Sequence, residues 1–185
     1  MNRFNAISIS LLVSVLLAGC VANSSVTPSG HYAGQHARAI KALSSDDIRS
    51  LREGRGMGFA KAAELNGYPG PMHVLEHSEA LALSTEQVTA TRNLLDAHKA
   101  EARELGEALV DSEATLDVLF ATRTIDGTLL ERQLAVIASR QAAVRASHLR
   151  THLLQTALLS RAQIEKYAEL RGYKSDSRHE AHAQH

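Results

Sequence analysis

The chain of 185 residues contains one cysteine, three prolines, no tryptophan and only 4% aromatic residues. A single cysteine excludes an internal disulfide framework. The shortage of aromatic residues, together with abundant Ala, Leu, Glu, Arg and Gln, is typical of a helical protein with little β-sheet. Net charge is also lacking, because 20 basic and 20 acidic side chains cancel. We therefore expect no overall field that attracts nucleic acid.

Catalytic motifs are scarce as well. The chain has no GxSxG motif and no phosphate-binding glycine loop. The stretch PMHVLEH contains HxxEH, the inverted zinc-protease motif, in which His73 and His77 would hold the metal and Glu76 would act as base. A peptidase needs a further ligand and a large substrate cleft, and two long helices use most of this chain. We therefore interpret Glu76 as a solvated helix residue and expect no enzymatic activity.

The amino terminus has the features of an export signal. Arg3 precedes an apolar run over residues 7–17, which is too short to span a membrane. The run ends in LAGC, which resembles a bacterial lipobox and predicts a signal peptide over residues 1–19 with lipidation of Cys20. Val21, rather than Asp, favours the outer membrane. We expect attachment to the membrane through this N-terminal lipid.

Three further segments follow the signal. Residues 20–32 include the polar stretch VANSSVTPSG and predict a flexible tether. Residues 33–173 form the predicted helical domain. Residues 174–185 predict a disordered tail whose histidines would bind metal only weakly.

One short pattern occurs three times, as LSSDD from Leu43, LSTEQ from Leu83 and LSRAQ from Leu159. Serine at the N-cap with Asp or Gln three residues later is the capping box that starts a helix. The residues concerned in the second and third copies are Leu83, Ser84, Gln87, Leu159, Ser160 and Gln163. The pattern therefore predicts helix starts at three places.

The longest helices are predicted on either side of Asp126-Gly127. An apolar pattern of helical spacing runs from Ser84 to about Thr122, and a second one follows the turn. Residues 84–127 contain nine acidic and four basic side chains, and residues 128–173 contain three acidic and seven basic ones. We therefore predict an all-α fold, an elongated antiparallel hairpin whose acidic and basic helices pair, with short flanking helices over residues 46–54, 57–65 and 71–83.

The repeated L-S-x-x-Q starts, the two long helices and the export signal together resemble the LTxxQ family of periplasmic proteins. That family includes the Spy and CpxP chaperones, the zinc-binding ZraP and the CnrX-type metal sensors. The resemblance covers roughly residues 33–173. It implies a cradle-shaped, often dimeric protein of the envelope that binds unfolded periplasmic proteins or a membrane signalling protein.

The resemblance leaves two functions open. A chaperone would hold clients on apolar and basic side chains, here with basic residues contributed by Arg132, Arg140, Arg145 and Arg150. A metal sensor or buffer would bind zinc, copper, nickel or cobalt through paired histidines, and the candidates are His73, His77, His148 and His152. The acidic ligand of the sensors falls on Leu95 and is not carried over. His31, His36 and His98 are expected at the surface, and a purely structural envelope lipoprotein is a third alternative.

Overall fold

The structure is a computed structural model that describes residues 30–173. The predicted signal peptide, Cys20, most of the tether and the histidine-containing tail lie outside the described residues. Residues 34–173 belong to one compact unit.

Helices make up 69% of the described residues, which contain no strand. After a turn of 3-10 helix at Gln35–Ala37, the helices are α1 (Ser45–Arg52), α2 (Lys61–Glu64), α3 (Pro71–Glu76), α4 (Thr85–Ala121), α5 (Gly127–Ala157) and α6 (Arg161–Leu170). No helix in residues 30–173 is both long and apolar enough to cross a bilayer.

The three predicted capping boxes are confirmed. Ser44, Ser84 and Ser160 each cap a helix, and in each case the side chain at N3 bonds back to the backbone of the capping residue. Asp126 caps α5 by accepting a hydrogen bond from the amide of Leu129 at 2.8 Å. Replacing one such cap is expected to cost about 1 kcal/mol.

The two long helices, α4 and α5, pack against each other. Gln133 on α5 donates to the carbonyl of Ser112 on α4 at 2.7 Å. Further along α5, Gln155 donates to the hydroxyl of Thr91 at 3.2 Å. A residue nearer the end of α5 therefore contacts a residue nearer the start of α4.

Charge contributes less to this packing than the sequence suggests. Within the described residues, one ion pair joins the two long helices, between Arg150 and Glu101 at 3.3 Å. Other acidic groups of α4 pair with earlier segments, as in Arg52–Glu107 at 2.8 Å. In the described residues, the expected pairing of an acidic α4 with a basic α5 is therefore limited to this one ion pair, and Lys41 and Arg52 pair with two other carboxylates of α4.

Helix α1 lies against α4 at a glycine. A β-carbon built on Gly106 would stand 2.1 Å from the carbonyl oxygen of Leu51, at the end of α1. This close approach forms part of the main apolar cluster, whose buried members are Ile40, Leu51, Leu109, Val110, Ile137 and Val144. Only glycine permits two backbones to approach this closely.

Two flanking helices are shorter than predicted. Helix α2 begins at Lys61 rather than near Met57, because Met57 and Gly58 have positive φ angles of 42° and 79°. Helix α3 ends at Glu76 rather than near Leu83. The following turns close with Ala82 at φ 47°, which redirects the chain into the cap of α4.

Candidate functional site

The two glutamines of the LSxxQ repeats contact each other. Gln87 donates to Oε1 of Gln163 at 2.9 Å, and Gln163 donates to Oε1 of Gln87 at 3.0 Å. Each amide nitrogen also donates to a backbone carbonyl, that of Leu158 at 2.8 Å and that of Leu81 at 3.3 Å. We call this pair the glutamine clasp. It joins the start of α4 to the start of α6.

The leucines of the same repeats pack nearby. Leu83 and Leu159 border a second apolar cluster formed by the buried residues Val74, Leu81 and Tyr167. Each letter of the LSxxQ repeat therefore has a physical explanation: leucine packs, serine caps and glutamine joins the two copies. The first copy has Asp47 in place of glutamine, and within the described residues that carboxylate bonds to Ser44 alone.

Glu64 connects α2 to the end of the chain. Its Oε1 accepts hydrogen bonds from the hydroxyls of Tyr167 at 2.5 Å and Tyr173 at 3.0 Å. Arg171 lies 3.6 Å from the same oxygen. Burial, and then the bond to Glu64, raise the pKa of Tyr167. The hydroxyl therefore remains a donor at all physiological pH values.

A cleft of about 890 Å³ lies between these elements. Its walls come from residues 53–58, helix α2, the start of α3 and one face each of α4 and α5. His73, His98, His148 and His152 all line it. Three of these four residues are predicted metal ligands, and the cleft brings them together.

His98, which was expected at the surface, is half-buried and contacts His148. A chain of hydrogen bonds fixes their tautomers. The Ser147 hydroxyl donates to Glu101 at 2.8 Å, so its oxygen accepts from Nδ1 of His98 at 3.3 Å. Nε2 of His98 is then unprotonated and accepts from Nδ1 of His148 at 3.1 Å. The surface prediction for His98 is wrong because its partner lies on the other long helix.

His148 is the most deeply buried of the four histidines, with 4% of its surface exposed. Its ring stacks on Phe59, and within the described residues its Nε2 has no hydrogen-bond partner. Burial, followed by the nearby His98 and His152, lowers the pKa of His148 to about 4. The ring is therefore neutral at neutral pH.

The remaining predicted ligands are committed to other contacts. His152 donates from Nδ1 to the carbonyl of Tyr68 at 2.7 Å. His73 lies 2.7 Å from Glu76, whose pKa this bond lowers. His77 is not among the residues that line the cleft, and its ring faces that of Tyr167 edge-on at 6.5 Å. Within residues 30–173, no group of three or more His, Cys, Asp or Glu side chains is arranged to hold a metal ion.

The outer surfaces of the long helices are apolar in several places. The large exposed apolar side chains there are Val118, Phe120, Leu134, Val136, Leu153 and Leu154, each at least 40% exposed. Three exposed arginines of α5, Arg132, Arg140 and Arg145, form no ion pair within the described part of the chain. The sequence analysis had named the arginines of this surface, but not its individual apolar side chains.

These features define a helical protein built on two long helices packed together, with six large exposed apolar side chains on those helices and a histidine-lined cleft. Comparisons with protein-family models, with curated proteins and with solved structures found no match.

Proposed function

We propose that this chain is a lipid-anchored envelope protein that holds unfolded client proteins without catalysis. In this proposal α4 and α5 form an elongated hairpin of the Spy/CpxP type, two copies form a cradle-shaped dimer, and Cys20 carries the lipid. The observation that supports it is the set of exposed apolar side chains on α4 and α5 beside unpaired arginines.

The physical basis is reversible contact with apolar segments. An unfolded client exposes apolar side chains, and covering them against Val136, Leu153 and Leu154 removes apolar area from water. Arg132 and Arg140 add attraction for acidic residues of the client, which is screened by salt. Because each contact is small, clients can leave again and refold.

The proposal is tested by aggregation suppression. The chain from Val21 onward keeps every described residue, and it should suppress the aggregation of reduced α-lactalbumin at near-stoichiometric ratios. The triple variant Val136→Ser, Leu153→Ser, Leu154→Ser should lose most of this effect while keeping its helix content. A matched control with Ser at the exposed positions Gln141 and Thr115 should behave like the parent. Absence of suppression by a large excess of the parent contradicts the proposal.

Anchoring has a separate test. Cells that express the full chain should incorporate labelled palmitate into it, and Cys20→Ser should abolish the incorporation. Retention of residues 1–19 on the mature protein, or a location inside the cell, contradicts this part of the proposal.

The second candidate function is that of a sensor or buffer for zinc, copper, nickel or cobalt. It is favoured by the 3.1 Å separation of Nε2 of His98 from Nδ1 of His148. Two nitrogens that share one metal at about 2.0–2.1 Å each lie at about this distance. His152 and His73 line the same cleft and would complete the ligand set after side-chain rearrangement.

Calorimetry separates the two candidates. For a sensor, His73→Ala, His98→Ala and His148→Ala each weaken the binding of zinc, copper, nickel or cobalt, and the exposed control His36→Ala does not. Equal, weak binding by all five proteins contradicts the sensor function. If neither clients nor metals bind and one defined envelope partner co-purifies, a structural lipoprotein is the better description.

A further inference from the structure

The histidine-lined cleft exposes apolar side chains from three separate segments. Met57, Leu65 and Met72 are 43%, 52% and 49% exposed, and all three line the cleft together with the half-buried Leu95. Methionine side chains are flexible and adapt to the shape of an apolar guest. The volume of about 890 Å³ lies within the range of small-molecule sites.

Several polar groups of the wall are already bonded within the protein, although Nε2 of His148 and Oε2 of Glu64 have no hydrogen-bond partner in the described residues. Nδ1 of His152 donates to Tyr68, the hydroxyl of Thr151 donates to the carbonyl of Ser147, and Glu64 accepts from Tyr173. A bound peptide backbone would find few partners here for its amides and carbonyls, and unpaired amides are costly to bury. An alkyl chain has no such groups to satisfy.

Three cations of the cleft, in contrast, are not neutralised. Lys61, Lys99 and Arg103 are exposed, line the cleft and form no ion pair within the described residues. Of the two carboxylates of the wall, Glu53 pairs with Arg55 at 2.6 Å, and Oε1 of Glu64 accepts from the hydroxyls of Tyr167 and Tyr173. Lys99 and Arg103 stand one turn apart on α4, so both can reach the same anionic group.

We infer that this cleft binds one fatty carboxylate, with the alkyl chain against Met57, Leu65, Met72 and Leu95 and the carboxylate held by Lys99 and Arg103. The site is separate from the client-holding surface of α4 and α5, so this inference goes beyond the proposed function. If the fatty carboxylate does not bind, a peptide or a metal ion is the better candidate for the occupant.

The test is calorimetry on the chain from Val21 onward, which keeps the compact unit whole. The probes are decanoate, 1-decanol and decyltrimethylammonium, all kept below the concentrations at which they self-associate. We expect decanoate to bind with one molecule per chain. Decanol, which lacks the charge, should bind at least about tenfold more weakly, and the cationic probe should not bind.

Charge variants locate the carboxylate. Lys99→Glu with Arg103→Glu should weaken decanoate at least about tenfold and leave decanol binding unchanged. The milder pair Lys99→Gln with Arg103→Gln should give a smaller loss with an unchanged melting temperature. The control pair Arg132→Glu with Arg140→Glu makes the same charge change on α5, away from the cleft, and should bind decanoate normally.

Three results would overturn the inference: equal binding of decanoate and decanol, several molecules per chain, or unchanged affinity in the Lys99/Arg103 variants. Client holding is measured on the same variants. Loss of decanoate binding with intact aggregation suppression separates this site from the chaperone surface, and the reverse pattern leaves the cleft inference standing when the proposed function fails.

Discussion

Substituting Gly106 by alanine tests how α1 is held against α4. The new β-carbon would lie 2.1 Å from the Leu51 oxygen and 2.7 Å from its carbonyl carbon. Ordinary contact begins near 3.4 Å, so the end of α1 must move by about 1.3 Å. The obstacle is backbone, and no side-chain rotation can relieve it.

The magnitude follows from two opposing terms. Forcing extra volume into packed structure costs about 1–3 kcal/mol, and the upper end applies because the displaced atom belongs to the backbone. Alanine is better than glycine inside a helix by about 1 kcal/mol. The net destabilisation is therefore about 2 kcal/mol, which lowers the melting temperature by about 4–8 °C.

The assay is urea and thermal unfolding followed by the circular dichroism of the helices. The matched control is Gly127→Ala at the start of α5, where an added β-carbon meets nothing within 4 Å. That variant should be as stable as the parent or slightly more stable. A Gly106→Ala protein that equals or exceeds the parent would refute the packing of α1 on α4.

Three further predictions concern polar groups. Because the pKa of His148 falls to about 4 in the folded state, the unfolded state binds more protons below about pH 6.5, and stability is lost as pH falls toward 4. His148→Gln should remove about 2 kcal/mol of the decrease between pH 7.5 and 5 in urea titrations, and parallel curves for both proteins would be against it. Gln87→Ala and Gln163→Ala should each cost about 1–2 kcal/mol, and a double-mutant cycle should give a coupling near 1 kcal/mol rather than simple additivity. Burial raises the pKa of Glu113, so its charge opposes folding as pH rises; Glu113→Gln should be more stable than the parent at pH 7 in urea unfolding, with a gain that shrinks toward pH 4.

Local features of this chain were predictable and long-range ones were not. A capping box involves residues three apart, so Ser84 with Gln87 and Ser160 with Gln163 predict helix starts without any knowledge of the fold. The same glutamines bond to each other across 76 residues of sequence, which no local rule predicts. Helix ends next to Met57 and Ala82 were missed because non-glycine residues rarely adopt positive φ.

The sequence did contain a signal that could have predicted the contact between His98 and His148. His98 and His148 lie equally far from residue 123, next to the turn between the long helices, as do Thr91 and Gln155. If two helices fold back at that point, residues at equal distances from it face each other. Spacing along one helix grouped His148 with His152, and it left out the partner that His148 bonds to.

The central claim is that clients are held on the outer surfaces of the long helices. Site-specific photo-cross-linking tests this claim most directly. A photoreactive phenylalanine analogue replaces Val136 or Leu153, which are 40% and 56% exposed, or the exposed control Ala162 on α6, outside the two long helices. The account predicts that an unfolding client is captured from the first two positions far more than from the control, and that folded client is not captured. Equal capture from all three positions, or capture from none, would contradict it.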